Sequence, residues 1–286
     1  MTLKFTFRNL KVFFRDITNV FFSILAVCIV IGIYVLFLGD IWIDIAARNI
    51  ENGKELMDSW VMAGSLAIIP VTSCLGAFSA MVDDKVRRIE KDLICSPLKK
   101  RHITGGYILS SYLVGVMMSL FALFVAELYI VNNGGQLLSL PSLLQVVGMI
   151  MYSALFSTVA LYFILSFFRS QGAFLTISVV VGVLIGFFTG CYVPVGLLPE
   201  GVQGLVKYFP PSHASSVIRQ IMMETPLNNG FSDEGSREWF EEFMGVTYKI
   251  DGEFITVTDS LLFIGAALLV FLAAVAVKEI VTRRRK

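Results

Sequence analysis

The sequence has few of the groups from which catalytic and metal centres are built. It contains only two histidines, His102 and His213, and neither stands in the His-Glu-x-x-His spacing that binds zinc in metalloproteases. It also has no Gly-x-Ser-x-Gly nucleophile motif and no evident pair of cysteine and histidine. We therefore expect no metal, no cofactor and no catalytic residue on this chain.

Cysteine is scarce too, and its four positions do not suggest disulfides. Cys28 and Cys74 lie inside apolar runs, and Cys95 lies in a basic segment. Only Cys191 lies near the opposite side of the predicted membrane, where it has no evident mate. We expect free thiols, which proteins commonly bury as small apolar groups.

Charged residues make up only 16% of the chain, whereas 56% of the residues are hydrophobic and the mean hydropathy is +0.76. A chain of this composition is an integral membrane protein. Because the apolar runs are long enough to cross a bilayer as helices, we expect an all-α fold with six transmembrane helices. The predicted spans are 20–38, 60–82, 107–127, 143–168, 173–191 and 261–277.

The charges between the second and third spans predict the orientation. Residues 83–106 contain seven basic and four acidic side chains between two apolar runs, so this segment lies in water. Basic residues are enriched on the cytoplasmic side of membranes. With both termini on the same side as this segment, that side holds 17 of the 23 basic residues. We therefore expect cytoplasmic termini in a multi-pass protein.

The central segment also has a helical pattern. Asp83 or Asp84 can cap a helix that runs to Leu93 and is ended by Pro97. Its apolar residues recur at helical spacing, as expected of a short amphipathic helix that binds a cytosolic partner. A basic loop that only fixes the orientation explains the same charges, and the sequence does not separate the two.

The N-terminal residues 1–17 predict an interfacial helix. Apolar and basic residues both recur at helical spacing, which gives an apolar stripe beside a basic one. The alternative is a signal peptide, which we disfavour because no small-residue cleavage site follows. The apolar stripe is Leu3, Phe7, Leu10 and Phe14, and the basic stripe is Lys4, Arg8, Lys11 and Arg15.

Three residues within the spans are candidates for a transport pathway. Pro70 and the nearby Thr72 predict a kink that faces protein or a water-filled route, although a kink that serves packing alone explains them equally well. Glu127 is an ionisable group in a span, which favours a functional role. A turn follows it closely, however, and we favour the interpretation that Glu127 reaches the outer interface.

Residues 192–260 interrupt the pattern of spans. Short apolar pieces separated by proline and glycine predict re-entrant helices on the outer side. A small extracellular α+β insert follows, in which Ser236 can cap a helix. Residues 246–250 can pair with residues 254–257 as a hairpin across Asp251 and Gly252.

These features together resemble the membrane subunits of type-two ABC exporters. The resemblance covers nearly the whole chain: an interfacial helix, six spans, a charged loop between spans two and three, and a re-entrant outer region. The loop ends in Ser96-Pro97-Leu98 and Gly105-Gly106, and the outer region carries Gly190, Pro194, Leu198-Pro199 and Pro210-Pro211-Ser212-His213. Each of these motifs is weak evidence by itself, and the resemblance rests on the order in which they occur along the chain.

The resemblance implies a permease that pairs with a second, identical or related permease and with cytosolic ABC ATPase subunits. ATP and magnesium would bind to those ATPases, and nucleic acid has no role. The charged loop resembles the coupling helix that contacts the ATPase, and residues 1–17 resemble the connecting helix that braces it. The implied ATPase contacts are Arg87, Arg88, Glu90, Lys91, Leu93 and Pro97, and the implied outer gate is Gly190, Pro194, Pro199, Pro210 and Pro211.

We expect such a permease in the cytoplasmic membrane of a prokaryote, where it would export a drug, lipid, peptide or glycolipid. Two other functions remain open on the sequence. One is a membrane sensor or scaffold with an acidic ectodomain, which would not need the central segment. The other is an enzyme acting on lipid head groups, which would need clustered carboxylates or histidines at one interface.

Overall fold

The protein is almost entirely helical, as expected. The computed structural model describes residues 2–17, 52–89, 100–168, 170–250 and 252–284, and scattered positions between 20 and 50. The elements in these ranges are α1 (Thr2–Arg15), α2 (Gly53–Ala77), α3 (Ser79–Val86), α4 (Lys100–Asn132), α5 (Leu140–Leu165), α6 (Gln171–Phe188), a 3-10 turn (Val195–Leu197), α7 (Glu200–Lys207), α8 (Pro210–Met222), α9 (Glu224–Gly230), α10 (Glu234–Met244), β1 (Lys249–Ile250), β2 (Glu253–Phe254) and α11 (Val257–Arg284).

Five helical segments in the described ranges are long and apolar enough to cross a membrane. They are α2 together with α3, then α4, α5, α6 and α11. Some of these helices extend beyond the predicted spans, since α2 begins at Gly53 and α4 begins at Lys100, whereas α5 and α6 each end three residues earlier than predicted. The first predicted span, 20–38, lies almost wholly outside the described residues.

The helix pair α2–α3 is the centre of the bundle. In its most apolar window 83% of the residues are buried, and α2 packs against α4, α5 and α8. Gly115 of α4 allows close approach, because a Cβ there would lie 2.4 Å from the sulfur of Cys74. Cys74 and Cys191 are buried free thiols, which confirms the prediction for these two cysteines.

Helices α6 and α11 lie at the periphery. Only 17% of the most apolar window of each helix is buried. Apolar side chains such as Val179 and Leu269 are therefore exposed, by 66% and 67% respectively. A helix that exposes this much apolar surface is adapted to lipid or to another membrane helix.

Local sequence explains where the long helices begin. The hydroxyl of Ser139 accepts a hydrogen bond from the amide of Ser142 and so caps α5, and Ser170 caps α6 through the amide of Ala173. Gly134, with a φ of 92°, forms the turn between α4 and α5.

The segment between α6 and α11 has the predicted succession of short elements. A hairpin is present at the predicted turn, with Lys249 opposite Phe254 and Ile250 opposite Glu253, but its strands are shorter than the predicted 246–250 and 254–257. The prediction that Ser236 caps a helix is wrong. Asp233 is the capping residue, because its carboxylate accepts hydrogen bonds from both the amide and the hydroxyl of Ser236.

The predicted helix start at Asp83 or Asp84 is also wrong. Both residues lie in the last turns of α3, which ends at Val86. Arg87 closes that helix and Arg88 has a φ of 63°, so the chain changes direction there. The remaining predicted coupling residues, Glu90, Lys91, Leu93 and Pro97, lie outside the described residues.

The bundle has two distinct ends. One end brings together α1, the end of α3, the start of α4 and the end of α5, and we call it the basic end. The other brings together the starts of α2, α5 and α11 with the short elements 195–254, and we call it the insert end. This division follows from contacts such as Lys85 with the Leu165 carbonyl at one end and Trp60 with the Met244 carbonyl at the other.

Candidate functional sites at the two ends of the bundle

At the basic end, α1 is bound to the bundle by an ion pair between the half-buried Arg8 and the buried Asp84. The guanidinium of Arg8 donates two hydrogen bonds to the carboxylate of Asp84, with N–O distances of 2.6 and 2.9 Å. The hydroxyl of Tyr107 donates a third, at 2.6 Å. The hydrogen bond to Asp84 raises the pKa of Arg8 above its ordinary value. A bidentate, charge-assisted contact of this kind fixes both the position and the angle of α1 on the bundle.

Two glycines at the start of α4 form the surface on which α1 lies. A Cβ at Gly106 would lie 2.4 Å from the ring of Phe5, and one at Gly105 would lie 3.3 Å from the methyl group of Thr2. The ring of Phe5 also packs edge-on against Tyr107, with 5.1 Å between centroids. The Gly105-Gly106 pair is therefore needed for close docking of α1.

The remaining surface of α1 is amphipathic, as predicted. Lys4 and Lys11 are exposed, and so is Phe7, by 74%. Arg8 is the exception in the predicted basic stripe because it contacts Asp84. The helix also buries a face that the sequence analysis missed, formed by Phe5, Thr6, Asn9 and Phe13.

At the insert end, a buried arginine joins three parts of the chain. Arg219 of α8 has no exposed surface, and its guanidinium donates to the carbonyl groups of Thr189, Gly190 and Gly245 at 3.1, 2.7 and 3.2 Å. These carbonyls follow the ends of α6 and α10, where helix carbonyl groups lack intrahelical partners and carry partial negative charge. One cation thus satisfies two helix ends.

The central helix contributes to the same contact. Trp60 lies beneath the guanidinium of Arg219 and donates a hydrogen bond from its indole nitrogen to the carbonyl of Met244 at 2.8 Å. A Cβ at Gly64, one turn further along α2, would lie 2.8 Å from a guanidinium nitrogen. Trp60 and Gly64 therefore make the space that Arg219 fills.

The predicted outer-gate residues lie at element boundaries, and Gly190 among them contacts Arg219. Gly190 has a φ of 63°, and Pro194 and Pro199 precede the 3-10 turn and α7. Pro210 and Pro211 begin α8, a position that suits proline because its missing N–H would be unpaired there. Each residue therefore redirects the chain or starts a short helix.

Of the three predicted pathway residues, Pro70 and Thr72 lie within α2, and Glu127 lies near the end of α4. Pro70 is buried in α2, where the hydroxyl of Thr72 donates to the carbonyls of Ile68 and Ile69. Glu127 is 8% exposed and accepts a hydrogen bond from the amide of Leu138 in the following turn. It lines a cavity of about 160 Å³ at the insert end.

Comparison with protein families agrees with this architecture. The model of the ABC-2 family transporter proteins matches residues 42–277, which is most of the chain. The chain belongs to the ABC-2 transporter family. It is a type-two ABC permease subunit, and permeases of this family work with ABC ATPase partners in general. The curated proteins searched include no match to the chain.

The sequence analysis missed Arg219 as a functional residue and assigned it only to the outer charges. A signal was present, because Arg219 is the one charged residue between Lys207 and Glu224 apart from the ionisable His213. A lone arginine in such a segment must find buried acceptors or leave the protein interior. Which carbonyls it would reach depends on the fold.

Proposed function

We propose that this permease belongs to an ATP-driven exporter, which moves an amphiphilic or hydrophobic compound outward across the cytoplasmic membrane of a prokaryote. In this proposal the basic end faces the cytoplasm and binds the ATPase, and ATP and magnesium are bound there rather than by this chain. Both termini are cytoplasmic, and the insert end faces outward.

The observation that carries the proposal is the docking of α1 at the basic end. Arg8, Asp84 and Tyr107 connect α1, α3 and α4 through charge-assisted hydrogen bonds to the buried carboxylate of Asp84. A push on α1 is therefore transmitted to α3 and α4, and through them to the central helix α2. This is the connection that an ATPase-driven permease needs at its cytoplasmic side.

The insert end supports an outer gate in the same scheme. Arg219 connects the end of α6 with α8 and α10, so movement of α6 or α8 changes its contacts. The gate consists of the boundary residues Gly190, Pro194, Pro199, Pro210 and Pro211. Opening would separate these short elements while the long helices stay formed.

The exposed apolar faces of α6 and α11 support two further partners. A second permease, identical or related, would cover part of this surface, and membrane lipid would cover the rest. The exposed basic residues of α1, including Lys4 and Lys11, would bind lipid head groups or brace the ATPase.

The experiment is co-purification of the permease with its ATPase from membranes, combined with ATP-dependent transport by the reconstituted complex. Charge reversal at Arg87 and Glu90 and replacement of Leu93 by alanine should release the ATPase and abolish transport. Arg237→Ala, at a partly exposed ion pair of the insert end, is the matched control and should leave both intact.

The two other functions predict different results. A sensor or scaffold would keep its activity after these substitutions in the central segment. A lipid head-group enzyme would alter lipids without any ATPase. Either result, or transport that continues without ATP hydrolysis, would contradict the proposal.

A further inference from the structure

The cavity at the insert end has a chemical character that the transport role does not explain. It lies between the starts of α2 and α5 and the ends of α4 and α8. Its volume of about 160 Å³ is far larger than the roughly 10–15 Å³ that a single water needs. The cavity can therefore admit a small organic group.

Its lining is acidic and contains no basic residue. Two carboxylates, Glu55 and Glu127, share the cavity with the hydroxyls of Ser59 and Ser142 and with aliphatic walls that include Ile130 and Ile221. Carboxylates in such surroundings require compensation by a proton or by a cation. A ligand that fits this lining is positive at one end and apolar at the other.

Glu127 provides a second and independent observation. More than nine-tenths of its surface is buried, and its Oε2 atom accepts the amide hydrogen of Leu138 at 3.1 Å. Its other oxygen, Oε1, is buried without a hydrogen-bond donor among the described residues. A buried carboxylate oxygen without a donor costs free energy unless a ligand supplies one.

The geometry favours a protonated amine over a metal ion. The described residues contain no group of three histidine, cysteine, aspartate or glutamate side chains that could hold a metal. A primary ammonium group donates three hydrogen bonds, which two carboxylates and a serine hydroxyl can accept. The aliphatic walls then contact the carbon chain of the ligand.

We propose that this cavity is a binding site for a primary ammonium group, with Glu127 as its main acceptor. The inference goes beyond the transport role, because binding requires neither the ATPase nor ATP. It can therefore be tested on the permease by itself, whatever the outcome of the transport experiments.

The test is calorimetric titration of the full-length permease in phosphatidylcholine nanodiscs with n-butylamine at neutral pH, with empty nanodiscs as blank. We expect saturable binding of the cationic amine and no saturable binding of the neutral n-butanol, which has the same chain length. Equal binding of both compounds by the wild-type permease, or no saturable binding of the amine, would overturn the proposal.

Variants then locate the site. Glu127→Gln keeps an oxygen that can accept the Leu138 amide but removes the charge, so it should weaken amine binding by roughly tenfold or more while the turn is retained. Glu55→Gln should also weaken it. Glu200→Gln, at an exposed carboxylate of α7, is the control and should bind like wild type. Unchanged binding in the Glu127 variant would refute the assignment.

The amine can come from water or from a lipid head group, and a competition arm separates these sources. Nanodiscs that contain phosphatidylethanolamine should compete with n-butylamine if the site takes lipid amines. If affinity for n-butylamine is the same in both kinds of nanodisc, the natural ligand is a water-soluble amine. Both results support the ammonium site, and they differ only in whether its ligand comes from lipid or from water.

Discussion

The guanidinium of Arg219 lies over the indole ring of Trp60, 4.6 Å from the ring centroid, and both side chains are fully buried. Neither residue's own helix needs the contact. Its effect is to hold α2 against α8, while the same guanidinium holds the ends of α6 and α10. A cation on an aromatic face loses less on burial than one against aliphatic groups, and the three carbonyl acceptors offset much of the remaining cost.

Replacement of Arg219 by methionine should therefore destabilise the insert end. The variant keeps much of the apolar volume but removes the guanidinium donor from the carbonyls of Gly190 and Gly245, and leaves that of Thr189 with only the hydroxyl of Ser215. We expect a loss of about 3 kcal/mol or more in the free energy of unfolding, measured by denaturant titration followed through tryptophan fluorescence.

The matched control is Arg237→Met. Arg237 forms a partly exposed ion pair with Glu241 within α10, and such pairs contribute only about 0.3–0.5 kcal/mol. Arg219→Lys should lie between the two variants, because lysine keeps the charge but lacks the planar fork of donors. Equal stability of the Arg219 and Arg237 variants would show that the buried contact is dispensable.

The two glycines whose carbonyls bind Arg219 are predicted to resist substitution. Gly190 and Gly245 have φ values of 63° and 68°, and a Cβ at either would approach Val195 to 2.8 or 2.6 Å. Alanine at either position should cost about 1–2 kcal/mol for the left-handed conformation, with further loss from displacement of Val195. Gly201→Ala, in open space within α7, should be neutral or stabilising when Tm values are compared.

The start of α10 should depend on pH. Hydrogen bonds from the amide and hydroxyl of Ser236 lower the pKa of Asp233. A group whose pKa is lower in the folded state stabilises that state above its unfolded pKa, and this contribution is lost as the pH falls through the folded pKa. Asp233→Asn should therefore show less amide-exchange protection in α10 than wild type at neutral pH, with a difference that disappears in acid. A difference that stays constant with pH would contradict this role. The control is Glu238→Gln, which removes a different carboxylate of the same helix.

Hydropathy and charge predicted the membrane class and the long apolar helices that cover five of the six predicted spans, and the turn residues predicted the hairpin. These features depend on local composition, which the sequence displays directly. The ends of helices were less predictable. Asp83 and Asp84 have the residue type of a helix cap, yet they lie at the end of α3, because tertiary contacts of Asp84 extend that helix.

Long-range contacts were beyond the sequence. Arg8 looked like one member of a repeating basic stripe, and only the packing of α1 on Gly106 places it beside Asp84. Arg219 looked like an ordinary outer charge for the same reason. Glu127, by contrast, was identified as a candidate because any carboxylate in a span is unusual.

The pair of Arg8 and Asp84 should contribute more to stability than the exposed pair of Arg87 and Asp83 at the same end of the bundle. The side chain of Asp84 is only 6% exposed, whereas that of Asp83 is 42% exposed. A double-mutant cycle with Arg8→Ala and Asp84→Asn should give a coupling free energy of about 1–3 kcal/mol, against roughly 0.5 kcal/mol or less for the exposed pair.

The cycle should be read out both by unfolding and by hydrogen exchange of α1, because the ion pair is predicted to hold that helix in place. Loss of the pair should raise exchange in α1 well before it affects α2, since α1 has few other polar contacts with the bundle. Gly106→Val, which blocks the surface under Phe5, should cause the same exchange pattern without touching either charge. If α1 stays protected in both variants, its position is set by the apolar face around Phe13 instead, and the ion pair has no role in docking.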